Sequence, residues 1–448
     1  MPAPDAKSDT AKVEHLAIIA GGKGTRIAGL AGDLPKALIP ACGKPVLQHQ
    51  LELAAQCGVR SVTIFAGHRG EQIRAFVDQH AGFGMRIDVL LESKPLGNAG
   101  ALTAALDALP EHFFVMYCDV ILAVDLAAMA RRHIECAADF TTFVHPNDHP
   151  RDSDLIEADE AGWVRAIHSY PHPEHACLPN LVNAALYVVR RDALTPGHGA
   201  PRDFTRDIIP GLLASKARVL AYSSSEYIKD MGTPERLERV EQDMAAGRLD
   251  TGPQAATKRH PAVFLDRDGT LNREVGFLAN HEQLELIPGA GKALRQLRQS
   301  GYRLIVVTNQ PVIARGEASE ADMAAIHCKL EWELGKAGAF VDAIYLCPHH
   351  PDGGYAGERA ELKGPCTCRK PGTAMIDQAE AEHRLDLGRS WVIGDRTADI
   401  ELARRKGLRS VLVQTGAAGQ DLCYDAVPDF VASDIGSAAD VIIAVGAQ

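Results

Sequence analysis

PAVFLDRDGTLN, Pro261 to Asn272, carries an apolar stretch straight into two aspartates one residue apart and then into a glycine turn. An apolar run broken at once by Asp-Arg-Asp-Gly reads as a buried strand whose loop starts at its carboxyl end. Side chains alternate in an extended segment, but the turn begins immediately, so both carboxylates can face one point. The pattern recurs downstream. YRLIVVTNQ, AFVDAIYLCP, SWVIGD and RSVLVQTG read as strands; GAGKALRQLRQSG, SEADMAAIHCKLEWELGKAG, TAMIDQAEAEHRL and RTADIELARRKG read as the helices between them. Such alternation predicts an α/β, doubly wound, mostly parallel sheet with helices on both faces. Ligand-handling residues should then follow the apolar runs, beyond the carboxyl ends of the strands.

The first half alternates in the same way. HLAIIAG, SVTIFAG, MRIDVLLE and FFVMYCD read as buried strands, and VLQHQLELAAQCG and LGNAGALTAALDAL as helices. Between the halves the pattern lapses into Gly, Pro, Ala and Thr. The expected organisation is a flexible N-terminus over 1–13, a domain over 14–244, a linker over 245–260 and a second domain over 261–448. Two domains suit 448 residues, which exceed what one core organises. An apolar share of 46% and a charged share of 23% are those of a soluble globular chain. No apolar run approaches the roughly 18 residues of a membrane span, and the N-terminus lacks an apolar leader. The expected address is the cytoplasm, without disulfides. A net charge of −11 disfavours nucleic acid as a partner; small phosphorylated substrates are expected instead, with no membrane partner and a homo-oligomer left open.

AGGKGTR, Ala20 to Arg26, follows a strand and opens a glycine-rich turn able to bring backbone N–H groups to phosphate oxygens. Its spacing is not that of a P-loop. DLPKALIPACGKPVLQHQLE, Asp33 to Glu52, adds PKxLxP and GKPxL in order. Together these motifs resemble the sugar-phosphate nucleotidyltransferases, and within them the heptose-1-phosphate and mannose-1-phosphate guanylyltransferase branch. The resemblance implies a Rossmann-like nucleotidyltransferase domain in which Gly21, Gly22, Gly24, Thr25 and Arg26 hold the nucleoside triphosphate and Lys36 pairs the reacting phosphates, with Arg26 and Lys36 catalytic. It implies that Lys44, Gly97, Asn98 and Asn183 bind substrate, the base lying at LGNAGAL (Leu96 to Leu102) and the sugar at Asn183. Asp119 and Asp230 would hold Mg²⁺. The segment HSYPHPEHACLPN before Asn183 departs from the Glu-Lys usual in the family.

FLDRDGTLN, VVTNQ and VIGDRTAD resemble the HAD phosphohydrolases, and ARG at Ala314–Gly316 with CPHHP and CTCRKP narrows this to the heptose 1,7-bisphosphate 7-phosphatases. The resemblance implies that Asp266 is the nucleophile and Asp268 the acid and base. Asp266, Asp268 and Asp395 would hold Mg²⁺, with Asp399 behind them. Thr308, Asn309, Arg315, Arg369 and Lys370 would bind substrate. Pro311 stands where the family has Ser.

YLCPHHPDGGYAGERAELKGPCTCRKP, Tyr345 to Pro371, gathers Cys347, Cys366 and Cys368 with His349 or His350. Four soft or borderline ligands suit a closed tetrahedral Zn²⁺; the family pattern selects His349. Such a zinc would be structural, fixing Arg369 and Lys370. The expected function is bifunctional: dephosphorylation of heptose 1,7-bisphosphate at C7, and transfer of a nucleotidyl group, from GTP or another NTP, to heptose 1-phosphate. Alternatives are a phosphatase of heptose-bisphosphate or histidinol-phosphate type with a nucleotide-binding regulatory domain, a mannose-1-phosphate guanylyltransferase fused to the phosphatase, and a zinc-bearing interaction module.

Overall fold

The strand that ends in Asp-Arg-Asp, Ala262–Leu265, lies near the middle of a six-stranded sheet. The order is Ala343–Cys347, Arg303–Asn309, Ala262–Leu265, Trp391–Gly394, Arg409–Val413, Phe430–Ala432, and all neighbours are parallel. The computed structural model describes residues 12–22, 27, 32–173, 176–197, 199–249 and 258–446. These divide into two units. The first takes the described residues up to His145, Ile156–Ser169 and those within Asn183–Thr257; the second takes Pro146–Leu155, Tyr170–Val182 and those from Lys258 onward.

Alternation along the central strands sends neighbouring residues of the second unit into two cores. Val263 and Leu265 join Leu304, Val306, Leu294, Leu297, Ile435 and Ile442 in one. Ala262 and Phe264 join Ile305, Val307, Met375, Ile376, Leu402 and Ala403 in the other. A parallel strand covered on both faces has to be apolar throughout, which is why AVFL shows no polar alternation. Ala290–Gln299 and Ile435–Gly446 cover one face; Ala374–His383 and Thr397–Lys406 cover the other. From Ala262–Leu265 the chain adds two strands on one side and then crosses to the other with Trp391–Gly394. The connections diverge at that point and leave a crevice at the carboxyl ends. Asp266 and Asp395 follow these two strands directly.

The parallel part of the first unit repeats the arrangement: Arg86–Leu91, Ser61–Ala66, His15–Ala20, His112–Tyr117. Gly21 follows the central strand and Asp119 the strand across the reversal. Val182–Arg190 then pairs antiparallel with His112–Tyr117, so the sheet is mixed. MRIDVLLE, expected as a buried strand, is an edge strand with Leu90 41% and Leu91 37% exposed. An apolar run marks a strand but carries no signal for where the sheet ends.

Within the second unit, the helix Glu320–Lys336 starts at a Ser319–Asp322 capping box. Its Trp332 packs with Leu155 and Val182, and Glu331 accepts the Asn180 N–H at 3.1 Å. Thus part of the departing segment, Tyr170–Val182, groups with the second unit. Burial pushes Glu331 up to about 7 against that N–H. A carboxyl raised in the folded state stabilises at low pH and loses that contribution as pH rises through 7. Glu331→Gln should therefore leave stability unchanged near pH 4 and raise it at pH 8 by on the order of 3 kcal/mol at most, measured as the pH dependence of the thermal midpoint.

Candidate active sites and metal centre

In the first unit, the turn after FFVMY is fixed from behind. Gln50, buried on the helix Val46–Gln56, donates to the carbonyls of Tyr117 and Val120, both at 2.8 Å, one on each side of Asp119. Asp119 forms an ion pair with Lys36, which leaves the short helical turn Lys36–Leu38. Tyr227–Asp230 pairs antiparallel with Val120–Ala123, setting Asp230 opposite Val120, and Met231 N–H donates to the Asp119 carbonyl at 2.8 Å. The two expected metal carboxylates are therefore neighbours through their backbones. Arg236 holds both oxygens of Asp230 at 2.8 and 2.9 Å.

Other expected residues have internal partners. Asn98 donates to Asp203 at 2.6 Å and accepts from the Phe204 N–H at 2.8 Å. Asn183 accepts from Thr142 and donates to Tyr187. Tyr187 and Phe204 both meet the ring of Tyr117, so the asparagines flank the strand that leads to Asp119. Lys44 pairs with Glu52 at 2.8 Å. Gly97 has φ +73°, and a Cβ there would lie 2.4 Å from the Arg202 carbonyl. Gly21 lies under Glu92, whose Oε1 would meet a Cβ at 2.7 Å. Among the described residues that buried oxygen has no hydrogen-bond partner; burial raises the carboxyl, opposed by the Leu96 N–H. Gly22 is exposed. Lys23, Gly24, Thr25 and Arg26 lie outside the described residues.

The second site is built at the strand reversal. Asp266 and Asp399 both grip Lys370 Nζ, at 2.5 and 2.6 Å, and all three side chains are buried. Asp395 Oδ2 accepts from the Ala417 N–H at 2.6 Å, while Oδ1 is buried with no partner among the described residues. Gly269, with φ +79°, lets its chain pass where a Cβ would stand 2.5 Å from Asp395. The ligand oxygens of Asp266, Asp395 and Asp399 lie within 4.8 Å of one another. Burial pushes Asp266 up to about 6 against the Lys370 charge. Burial and the charge of Asp266 push Asp395 up to about 8. Three crowded carboxylates and an orphaned oxygen fit a hard divalent cation with oxygen ligands.

Asp268 is not part of this cluster. Its carboxylate accepts from Arg267 at 2.7 and 3.2 Å, from Asn272 at 2.9 Å and from Gln310 at 2.8 Å. Burial works to raise it, but the Arg267 charge and these bonds hold it below the usual carboxylate range. Gln310 also donates to Thr308 Oγ1 at 2.7 Å. Asn309 and Lys370 exchange bonds reciprocally, Lys370 N–H to Oδ1 at 2.9 Å and Nδ2 to the Lys370 carbonyl at 3.3 Å. Asn309 is thus a clasp on the loop that brings Lys370. Arg315 lies between the rings of Phe277 and Tyr355, 3.9 and 4.4 Å from their centroids, with one nitrogen 3.3 Å from His350.

The cysteine loop closes as one cluster. Cys347, His349, Cys366 and Cys368 place their ligand atoms within 4.8 Å of one another, and the cysteines are free. His350 instead meets Arg315 and the Asp352 N–H, so geometry too selects His349. Three sulfurs and one imidazole suit a tetrahedral soft or borderline ion. Arg369 donates its N–H to Cys366 Sγ at 3.4 Å and its guanidinium to the His349 carbonyl at 3.2 Å.

Glu92, Gln50, Arg236, Arg267, Asn272 and Gln310 are site residues that sequence reasoning missed. The TNQ motif pointed at Gln310, and Arg267 and Asn272 lie inside FLDRDGTLN without having been given a role; Gln50, Glu92 and Arg236 carry no local signal.

Two strand reversals, each with carboxylates met by a lysine, define α/β enzymes that handle phosphate. Residues 16–247 match the family described as Nucleotidyl transferase, and 367–438 the family described as HAD-hydrolase-like. The D-glycero-D-manno-heptose-1,7-bisphosphate 7-phosphatase of Thermosynechococcus vestitus is 42% identical over 189 residues, which cover 41% of this chain and 95% of that one. The D-glycero-beta-D-manno-heptose-1,7-bisphosphate 7-phosphatase of Haemophilus ducreyi is 42% identical over 159 residues, 35% of this chain and 85% of that one. A crystal structure of HddC from Yersinia pseudotuberculosis is similar at 21% identity with a TM-score of 0.46, covering 52% of this chain and all of that one. The chain belongs to the nucleotidyl transferase family through its first half and, through its second, to the HAD-like heptose-bisphosphate phosphatases. It is a bifunctional enzyme with a nucleotidyltransferase unit and a phosphatase unit. Among the described residues no helix is long and apolar enough to cross a membrane.

Protons compete with a cation for Asp266 and Asp395. Divalent-ion affinity of the phosphatase unit should rise between pH 6 and 8, with proton release on binding, measured calorimetrically in buffers of different ionisation enthalpy. Metal analysis should find a soft-ligand ion that Cys366→Ser loses, with at least a tenfold drop in affinity.

Proposed function

We propose that the second unit removes the C7 phosphate of D-glycero-D-manno-heptose 1,7-bisphosphate and that the first transfers a nucleotidyl group from GTP to the heptose 1-phosphate so formed. One observation carries this. A single chain joins a unit related to bisphosphatases, whose product would be a sugar 1-phosphate, to a unit of a family that consumes such compounds.

In the phosphatase unit, an Asp266 oxygen attacks the C7 phosphorus and the bond to the sugar oxygen breaks. Lys370 and Thr308 hold the transferring group, and Asp268 protonates the leaving oxygen. A phosphate dianion beside Asp268 favours its protonated form; the three donors around it favour the carboxylate left after transfer. Asp268 then takes a proton from the water that hydrolyses the aspartyl-phosphate. Arg315 and Arg369 offer cations for the remaining phosphate. Mg²⁺, held by Asp266, Asp395 and the Asp268 main chain, would supply charge neutralisation. The sulfur and imidazole cluster would hold a structural Zn²⁺ that keeps Arg369 and Lys370 in place.

In the first unit, Lys36 with Arg26 and the glycine turn would align the triphosphate, and Asp119 and Asp230 would hold a second Mg²⁺. The sugar-phosphate oxygen attacks the α-phosphorus and pyrophosphate leaves, so alignment and charge suffice without a protein nucleophile. The buried, unpartnered Glu92 oxygen beside Gly21 supports guanine. A carboxylate only accepts, and guanine alone among the bases offers adjacent N1–H and N2–H donors.

Purified chain given bisphosphate, GTP and Mg²⁺ should release both phosphate and pyrophosphate. Asp266→Asn should cut phosphate release at least a thousandfold while leaving pyrophosphate release from supplied heptose 1-phosphate intact, and Lys36→Ala should do the reverse. Glu92→Gln should lower the preference for GTP over ATP by roughly tenfold or more. Phosphate without pyrophosphate from the unaltered chain would sink the bifunctional proposal.

A further inference from the structure

Arg267 stands between the two aspartates of the motif, and neither the motif nor the chemistry above gives it a task. Its side chain is nevertheless the largest fully buried one among the described residues, at 0% exposure. A guanidinium removed from water is tolerated only where its charge is neutralised and its N–H groups find acceptors. Here one edge forks onto Asp268, at 2.7 and 3.2 Å. The other nitrogen meets Met323 Sδ at 3.1 Å and His327 Nε2 at 3.3 Å. Arginine has no acceptor atom, so His327 Nε2 must accept, which puts the ring proton on Nδ1. Met323 and His327 are four residues apart on Glu320–Lys336 and therefore share a face. The capping box at Ser319 fixes the start of that helix. The result is a chain of contacts from a capped helix, through a neutral imidazole and a planar cation, to the carboxylate of Asp268.

We propose that Arg267, backed by His327, is a positioning residue that sets the Asp268 carboxyl in the orientation from which it gives its proton to the leaving oxygen. This rests on the acid role of Asp268 proposed above. In the step concerned, the bond from Asp266 to phosphorus forms as the bond from phosphorus to the sugar oxygen breaks. The electron pair goes to that oxygen, which takes the Asp268 proton, and the carboxylate left behind faces the Arg267 fork. Asn272 and Gln310 also donate to Asp268, but only Arg267 contributes two bonds in one plane together with a full charge. Lysine has one point charge and no fork, and without an acceptor at 327 the far end of the guanidinium keeps only the weak thioether acceptor of Met323.

The dependence on leaving group separates positioning from a structural role. An alkyl oxygen needs a proton as it departs; 4-nitrophenolate leaves without one. Leaving-group release would be followed in a single turnover, with the whole chain and Mg²⁺, for the heptose bisphosphate and for 4-nitrophenyl phosphate. Arg267→Lys should slow release from the bisphosphate by roughly a hundredfold, the scale of lost general-acid catalysis, and from the aryl ester by less than about threefold. His327→Leu should show the same asymmetry at roughly five- to tenfold, and His327→Gln, which keeps an acceptor, should restore the unaltered rates. If Arg267→Lys does not fold, the two His327 variants decide. Equal losses on both substrates, or no loss in His327→Leu, would overturn the inference. Asp268→Asn is the control. If it too slows both esters equally, the acid role falls and the positioning role with it; if it is selective for the alkyl ester while the Arg267 and His327 variants are not, the acid role stands and the positioning role alone is wrong.

Discussion

A carboxylate at the end of a buried parallel strand has to be met by a cation, and both units meet theirs with a lysine delivered from elsewhere in the chain. Lys370 arrives on the cysteine loop and lies between Asp266 and Asp399; Lys36 arrives on a short helical turn and pairs with Asp119. Much of the rest of each site serves that meeting. The Cys347, His349, Cys366 and Cys368 cluster and the Asn309 clasp hold the loop that carries Lys370. Gln50 holds the turn that carries Asp119. The strand reversals place the carboxylates where two helix-bearing connections diverge, the part of an open sheet least able to cover them with apolar side chains.

Much of this was legible in sequence because apolar runs and glycine turns are local. AVFL followed by Asp-Arg-Asp, and WVIG followed by Asp, announced strands with their chemistry at one end. Metal-type spacing announced the cysteine cluster, and the structure selects His349 over His350 by giving His350 other partners. What escaped was tertiary. Nothing near Gln50 says that its amide spans a turn sixty-seven residues away, and nothing near Glu92 says that it covers Gly21. The edge position of MRIDVLLE depends on where other strands stop.

Several expected ligand-binding residues already have internal bonds: Asn98 with Asp203 and Phe204, Asn183 with Thr142 and Tyr187, Asn309 with Lys370. Asparagine offers both a donor and an acceptor, so a side chain aligned by one neighbour can still present its remaining lone pair or hydrogen to a ligand. Arg267, the middle residue of Asp-Arg-Asp, carried no expectation of its own in the sequence and is fully buried. The helix Glu320–Lys336 supplies Met323 and His327 as acceptors for its guanidinium.

The two bonds from Gln50 have a consequence for when order is acquired. A single amide bridging the carbonyls before and after Asp119 makes the conformation of that turn part of the folded core, because breaking it would cost two hydrogen bonds, the one to Val120 buried. The entropy of arranging the aspartate is therefore lost once, as the chain folds, and is not charged again to each arriving nucleotide. Any metal affinity of the Asp119 carboxylate would in that sense be a folding property, set partly by a glutamine on the helix behind the turn.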